Sequence, residues 1–176
     1  MDVRTLCLGV LSFGDSSGYG LRRSIKDWFG HFGQASLGAI YPALAKLTAS
    51  GEIETIDNVN ASLEKRVFRI TESGRAKLRD HLSSLSGQET VRSPFMAGLF
   101  FAHLMDMDDV HRLMDERVAE LRGEQRRLRS LPMTEMTEGQ RFTIRYALAT
   151  TAAGIAFMER EGRAIITAID RERDSL

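Results

Sequence analysis

Ser36-Leu37-Gly38-Ala39-Ile40-Tyr41-Pro42-Ala43-Leu44-Ala45-Lys46-Leu47 is the stretch whose reading decides the fold. Leu37, Ile40, Leu44 and Leu47 recur at helical spacing, so Leu37–Ser50 is expected as a helix with that stripe buried. Ser36 stands where an N-cap hydroxyl is wanted, and Gly51 is placed to end the helix in a left-handed conformation. Pro42, read as lying past the first turn, is expected to remove a helix hydrogen bond and bend the axis.

Upstream lie two more short helices. Residues 4–13 carry Leu6, Cys7, Val10, Leu11 and Phe13 on a wide apolar face. Gly14-Asp15-Ser16-Ser17-Gly18 reads as a turn, with Ser17 capping a helix that buries Leu21, Ile25, Trp28 and Phe29 and breaks at Gly30-His31-Phe32-Gly33. Downstream the period changes to that of strands. Glu52–Asp57 and Lys65–Thr71 read as a β-hairpin around the polar turn Asn58–Ser62. Thr71 and Glu72 then open a helix to about Leu85. Three helices followed by a hairpin make a winged helix-turn-helix.

Ser84–Ser93 is the one plausible linker, ending at Pro94, and it divides the chain into expected domains 1–86 and 87–176. The second half reads as all helical: Phe95–Leu104, a long helix from Asp106 or Asp108 to about Leu131, and a last helix capped by Thr137. In the long helix Met107, Met114, Leu121 and Leu128 repeat every seven residues, with Val110 and Val118 beside the seam. In the last one, Phe142, Tyr146, Ala149, Ala153 and Phe157 share one side. The expected fold is therefore mainly α with a small β-hairpin: an N-terminal winged helix-turn-helix and a C-terminal all-α, coiled-coil-like dimerisation domain. Packing inside its own domain is one reading of the heptad stripe; a helical tail of this size has few places to bury two long helices, which favours a homodimer.

Composition narrows the function classes. Lys and Arg number 24 and Asp and Glu 24, which argues against a purely electrostatic, histone-like DNA binder. No apolar run is long enough for a membrane helix, and Leu6–Phe13 lacks a signal-peptide cleavage pattern, so a cytoplasmic protein without membrane contact is expected. Cys7 is the single cysteine and reads as a buried hydrophobe. His31, His81, His103 and His111 lack metal-site spacing, and no P-loop or Gly-x-Ser-x-Gly occurs. No enzyme activity, cofactor or metal is expected. Seven of the eight methionines lie in the second half. A small apolar or aromatic effector, with Trp28, Phe95 or Phe100 as aromatic candidates, is one reading of these residues; ordinary core is the other.

Four motifs resemble the PadR family of bacterial transcriptional regulators, in order and spacing, over roughly residues 3–85. They are Ser17-Gly18-Tyr19-Gly20-Leu21, the Ser36–Leu47 stretch, the basic wing strand Lys65-Arg66-Val67-Phe68-Arg69-Ile70, and Thr71-Glu72-Ser73-Gly74-Arg75. The long tail is similar to the branch with phenolic-acid-responsive repressors and AphA-like activators. The resemblance implies a dimer on a pseudo-palindromic operator in double-stranded DNA, with the third helix in the major groove and the C-terminal helices making most of the dimer. With the apolar stripe inward, Gly38, Ala39, Tyr41, Pro42, Ala45 and Lys46 lie on or near the exposed face. The expected DNA-binding residues are Tyr19, Ser36, Gly38, Ala39, Tyr41, Pro42, Lys46, Lys65 and Arg66, and the expected dimer residues Met107, Val110, Met114, Val118, Leu121 and Leu128. Repression is the expected mode. Ala39 replaces the family's usual Thr, Phe68 a common Tyr, and Ser62-Leu63-Glu64 a Gly-x-Pro before the basic pair. Ala39, Glu64 and the zero net charge fit a second reading, a winged helix used for protein interaction.

Overall fold

A computed structural model describes residues 2–29, 37–58, 60–87 and 93–173. Ser36, Gly30-His31-Phe32-Gly33, Val59 of the hairpin turn and positions 88–92 of the linker lie outside the described residues. The chain divides into two compact units, Met1–Gln88 and Glu89–Leu176.

The first unit is built round α1 (Val3–Leu11). Asp2 caps it, accepting from the Thr5 N–H and hydroxyl, both at 2.8 Å. Leu6, Cys7, Leu8, Val10 and Leu11 are all buried, because α1 is covered by α2 (Gly18–Phe29), α3 (Ile40–Ala49), α4 (Glu72–Ser83) and a sheet strand. Burial pushes the Cys7 thiol up to about 12, with the Asp2 carboxylate adding to the shift, so it stays a neutral, inert hydrophobe at physiological pH. The helix stops at Leu11, short of the expected residue 13. Phe13 is exposed and meets Trp28 edge-on, ring centroids 5.7 Å apart.

Ser17 caps α2 as expected, its hydroxyl accepting from the Gly20 N–H at 3.0 Å. The preceding segment is more than a turn. Ser16–Ser17 forms β1, which pairs antiparallel with β3 (Val67–Ile70), and β3 pairs with β2 (Ile53–Asp57). The sheet thus has three strands in the order β1-β3-β2, where a two-stranded hairpin was expected. Ile53, Phe68 and Ile70 turn inward.

The helix expected over Leu37–Ser50 is also corrected. Residues Leu37–Ala39 form a 3₁₀ turn, and α3 begins at Ile40. Pro42 is therefore in the first turn of α3, where backbone N–H groups have no intrahelical partner. It costs no hydrogen bond there, and its ring bars an α-helical ladder from starting earlier. Ile40, Ala43, Leu44 and Leu47 are buried. Gly51, at φ +70°, ends the helix, and the Glu52 N–H returns to the Leu47 carbonyl at 2.9 Å.

Thr71 caps α4 through the Gly74 N–H, while its hydroxyl donates to the Gly51 carbonyl at 2.7 Å. Glu52 is buried beside them. Burial works to raise its pKa, but bonds from the Lys77 ammonium (2.6 Å) and the Ser50 hydroxyl (3.0 Å) outweigh it and hold the carboxyl below its usual range.

The second unit is helical. Ser93 caps α5 (Pro94–Phe100), with Pro94 at its first position. A 3₁₀ turn at Ala102–Leu104 leads to α6 (Met107–Arg129). Thr137 and Gln140 form a reciprocal capping box for α7 (Glu138–Arg173). α6 and α7 pack antiparallel. Val110 clusters with Ile169, Met114 approaches Gly162, Leu121 approaches Gly154, and Leu128 clusters with Ile144 and Ala147. Arg122 closes the outer side on Glu159 at 2.7 Å.

Candidate nucleic-acid interface

The outward side of α3 is the natural starting point, because its inward side is fixed by Ile40, Leu44 and Leu47. Gly38, Pro42, Ala45 and Lys46 are exposed, and Ala39 is half-buried. Lys46 is the single charged side chain of α3, and it has no ion-pair partner among the described residues. The Thr48 hydroxyl is turned back to the Leu44 carbonyl (2.9 Å), and that of Ser50 is taken by the Glu52 carboxylate (3.0 Å). The exposed face is therefore smooth, with one cation. Such a surface admits close approach to a DNA backbone and leaves the ammonium for phosphate or a base edge.

Tyr41 sits differently from the sequence expectation. It is half-buried against the core, and its hydroxyl is enclosed without a hydrogen-bond partner among the described residues. The phenol is not presented to a phosphate in this conformation. Tyr19, by contrast, is 57 % exposed at the start of α2. Arg22, Arg23 and Lys26 are exposed on the same helix, at i+3, i+4 and i+7 from Tyr19. That spacing puts the four on one side, opposite Leu21 and Ile25. Sequence reasoning missed these three cations. Their periodicity was the available signal, overshadowed by the apolar stripe on the other face of the same helix.

The wing also differs in detail. β3 begins at Val67, so Lys65 and Arg66 lie in the turn before the strand rather than in it. Lys65 is exposed. Arg66 is half-buried, and its Nε donates to the Ala61 carbonyl at 2.7 Å, bracing the turn. Glu64 is exposed between them and the core-packed Leu63. Arg69 on β3 is bonded through Nε to Asp15 at 2.9 Å, and this guanidinium holds the Asp15 carboxyl below the usual carboxylate range. Of the wing's three cations, Lys65 alone is left without such a bond among the described residues.

The six residues expected at a dimer seam lie on the side of α6 that faces α7 of the same chain. Val110, Met114 and Leu128 are buried within the chain, and Met107, Val118 and Leu121 are half-buried. The reason is length: α7 has 36 residues against 23 in α6 and lies along the whole stripe. The side of α7 bearing Phe142, Tyr146, Ala149, Ala153 and Phe157 is the one left exposed.

Residues 7–80 match the Transcriptional regulator PadR-like family. The negative transcriptional regulator PadR of Bacillus subtilis (strain 168) is 32 % identical over 113 residues, covering 63 % of this chain and 62 % of that protein. The chain thus matches less than two thirds of that relative's length. The crystal structure of a Streptococcus mutans UA159 protein superposes with a TM-score of 0.81 at 30 % identity, covering 92 % of this chain and 98 % of the other. Bacillus subtilis PadR in complex with operator DNA superposes with a TM-score of 0.71 at 25 % identity, covering 94 % and 98 %. The same protein in complex with p-coumaric acid gives 0.67 at 25 % identity, covering 96 % and 98 %.

Lys65 and Arg66 separate by their roles. Arg66→Ala removes the bond to Ala61 and is expected to lower folding stability by about 1 kcal/mol, read from thermal or urea unfolding. Lys65→Ala is expected to leave stability unchanged. Equal effects of the two substitutions would contradict the bracing role of Arg66.

Proposed function

We propose that this chain is a PadR-like transcriptional regulator that binds a specific double-stranded operator as a homodimer and represses transcription, a reading supported by the family match over residues 7–80. The observation that carries this reading is α3, held by its buried stripe so that Pro42, Ala45 and Lys46 face outward. α3 enters the major groove. Gly38 and Ala39 allow the 3₁₀ turn before it to approach the backbone closely. Lys46, Tyr19, Arg22, Lys26 and Lys65 contact phosphate. Two-fold symmetry sets half-sites about 34–36 Å apart. The operator complex of the Bacillus subtilis relative supports operator DNA as the ligand.

A second copy covers the exposed apolar side of α7. Phe142, Tyr146 and Phe157 are each more than half exposed in the single chain, and Ala149 and Ala153 between them allow close helix approach. The heptad residues of α6 act indirectly, by seating α7. A small aromatic acid is the effector class the relative's p-coumaric acid complex supports. Of the aromatic candidates, Trp28 is half-buried beside Phe13, Phe95 lies under the Arg117 guanidinium at 5.7 Å, and Phe100 is 79 % exposed. None of the described helices is long and apolar enough to cross a membrane, and the site of action proposed is the cytoplasm.

The test is binding to the DNA upstream of its own gene, titrated against random DNA at several salt concentrations. A preference of about 10³-fold or more is expected, with affinity falling steeply as salt rises. No binding even at low salt would favour the protein-interaction reading, to which Ala39 and the exposed Glu64 already lend support. Phe157→Asp is expected to yield monomers in sedimentation equilibrium. A dimer of unchanged strength would place the interface elsewhere.

A further inference from the structure

The N-terminus of α2 is occupied by the wing. The Gly18 N–H donates to the Arg66 carbonyl at 3.2 Å, and the Tyr19 N–H to the Glu64 carbonyl at 2.9 Å. The Gly20 N–H is taken by the Ser17 hydroxyl. The first three helix donors, which in many DNA-binding helices point at phosphate, are thus spent on the hairpin turn and the local cap. The approach is as close as backbone allows: a Cβ at position 18 would lie 2.1 Å from the Leu63 carbonyl oxygen and 3.1 Å from the Glu64 Cα. Those are main-chain atoms, and they cannot swing aside. The same turn is closed internally. The Lys65 and Arg66 N–H groups both return to the Ser62 carbonyl, at 2.9 and 3.1 Å, Arg66 reaches Ala61, and Leu63 is packed on the core.

From this geometry we infer that Gly18 is a positioning residue for DNA binding, which sets where the wing carries Lys65 by letting the turn seat on the end of α2. The inference rests on the DNA-binding reading and deepens it. The wing is a rigid ledge, and its cation stands at a fixed offset from α2. Any side chain at 18 lifts the Ser62–Arg66 turn and takes Lys65 off its phosphate, while the buried stripe of α3 keeps the recognition helix where it is.

A double-mutant cycle tests this on the full chain, using an operator selected from a randomised DNA pool. Lys65→Ala is expected to weaken binding and to reduce the salt slope by about 0.9 for each phosphate the wing no longer neutralises. Gly18→Ala is expected to reproduce the same reduction in slope while guanine N7 protection under α3 persists. Adding Lys65→Ala to Gly18→Ala should then change neither affinity nor slope, because Lys65 has already left its phosphate. Multiplicative losses, or a Gly18→Ala protein that binds as the parent does, would overturn the inference. If Gly18→Ala fails to fold, Leu63→Ala loosens the same turn without a clash and carries the same expectations. Failure of the pool to yield any operator counts against the DNA-binding reading itself, and so is distinguishable from additive losses on an operator that is bound.

Discussion

The burial of Ile40, Leu44 and Leu47 against α1 and its neighbours is the constraint on which the first unit depends. A helix of ten residues has little stability of its own, and it holds its place by packing one face. Once that face is fixed, the opposite one is fixed too, and Pro42, Ala45 and Lys46 are presented without any further device. The sheet and α4 serve the same end. Phe68 and Ile70 close the core from the other side, and Thr71 ties the end of β3 to the residues after α3 by accepting from Gly74 and donating to Gly51. Gly74 lets α4 seat there, since a Cβ at that position would meet the Glu52 carbonyl at 2.1 Å.

Charge acts locally in this chain. The net charge is zero, yet the cations are sorted by their bonds. Arg69 neutralises Asp15, Lys77 neutralises Glu52, and Arg66 braces a carbonyl. Lys46 and Lys65 stand exposed on α3 and in the wing turn. On the second unit, pairs such as Arg122–Glu159 and Arg112–Asp109 lace helix surfaces. Exposed pairs of this kind contribute little to stability, so the helices rest on their apolar packing.

Much of this was legible in the sequence, for identifiable reasons. Apolar spacing is a local signal: it located α1, α2, α3, α6 and α7 and the inward side of the first four, whereas the aromatic side read for α7 is the exposed one and Ile144, Ala147 and Ile169 turn inward. Caps are local as well: Ser17, Thr71 and Thr137 act where their spacing placed them. What escaped depends on distant partners. β1 is two serines that join the sheet through backbone bonds alone, and composition carries no trace of that. Arg69 meets Asp15 across 54 positions, which no motif announces. The heptad of α6 told which side is buried but not by what, and α7 of the same chain proved to be the cover. Tyr41 lies near the edge of the exposed arc, where a small rotation decides whether its hydroxyl faces water or core.

The measurement that bears most directly on the account is operator binding by Ala45→Glu, made beside its thermal unfolding curve. Position 45 is exposed, so the account predicts an unchanged unfolding midpoint. A carboxylate there would face DNA across the middle of α3, so specific binding should be lost. A variant that unfolds as the parent does and still binds the operator as tightly would contradict the placement of α3 against DNA.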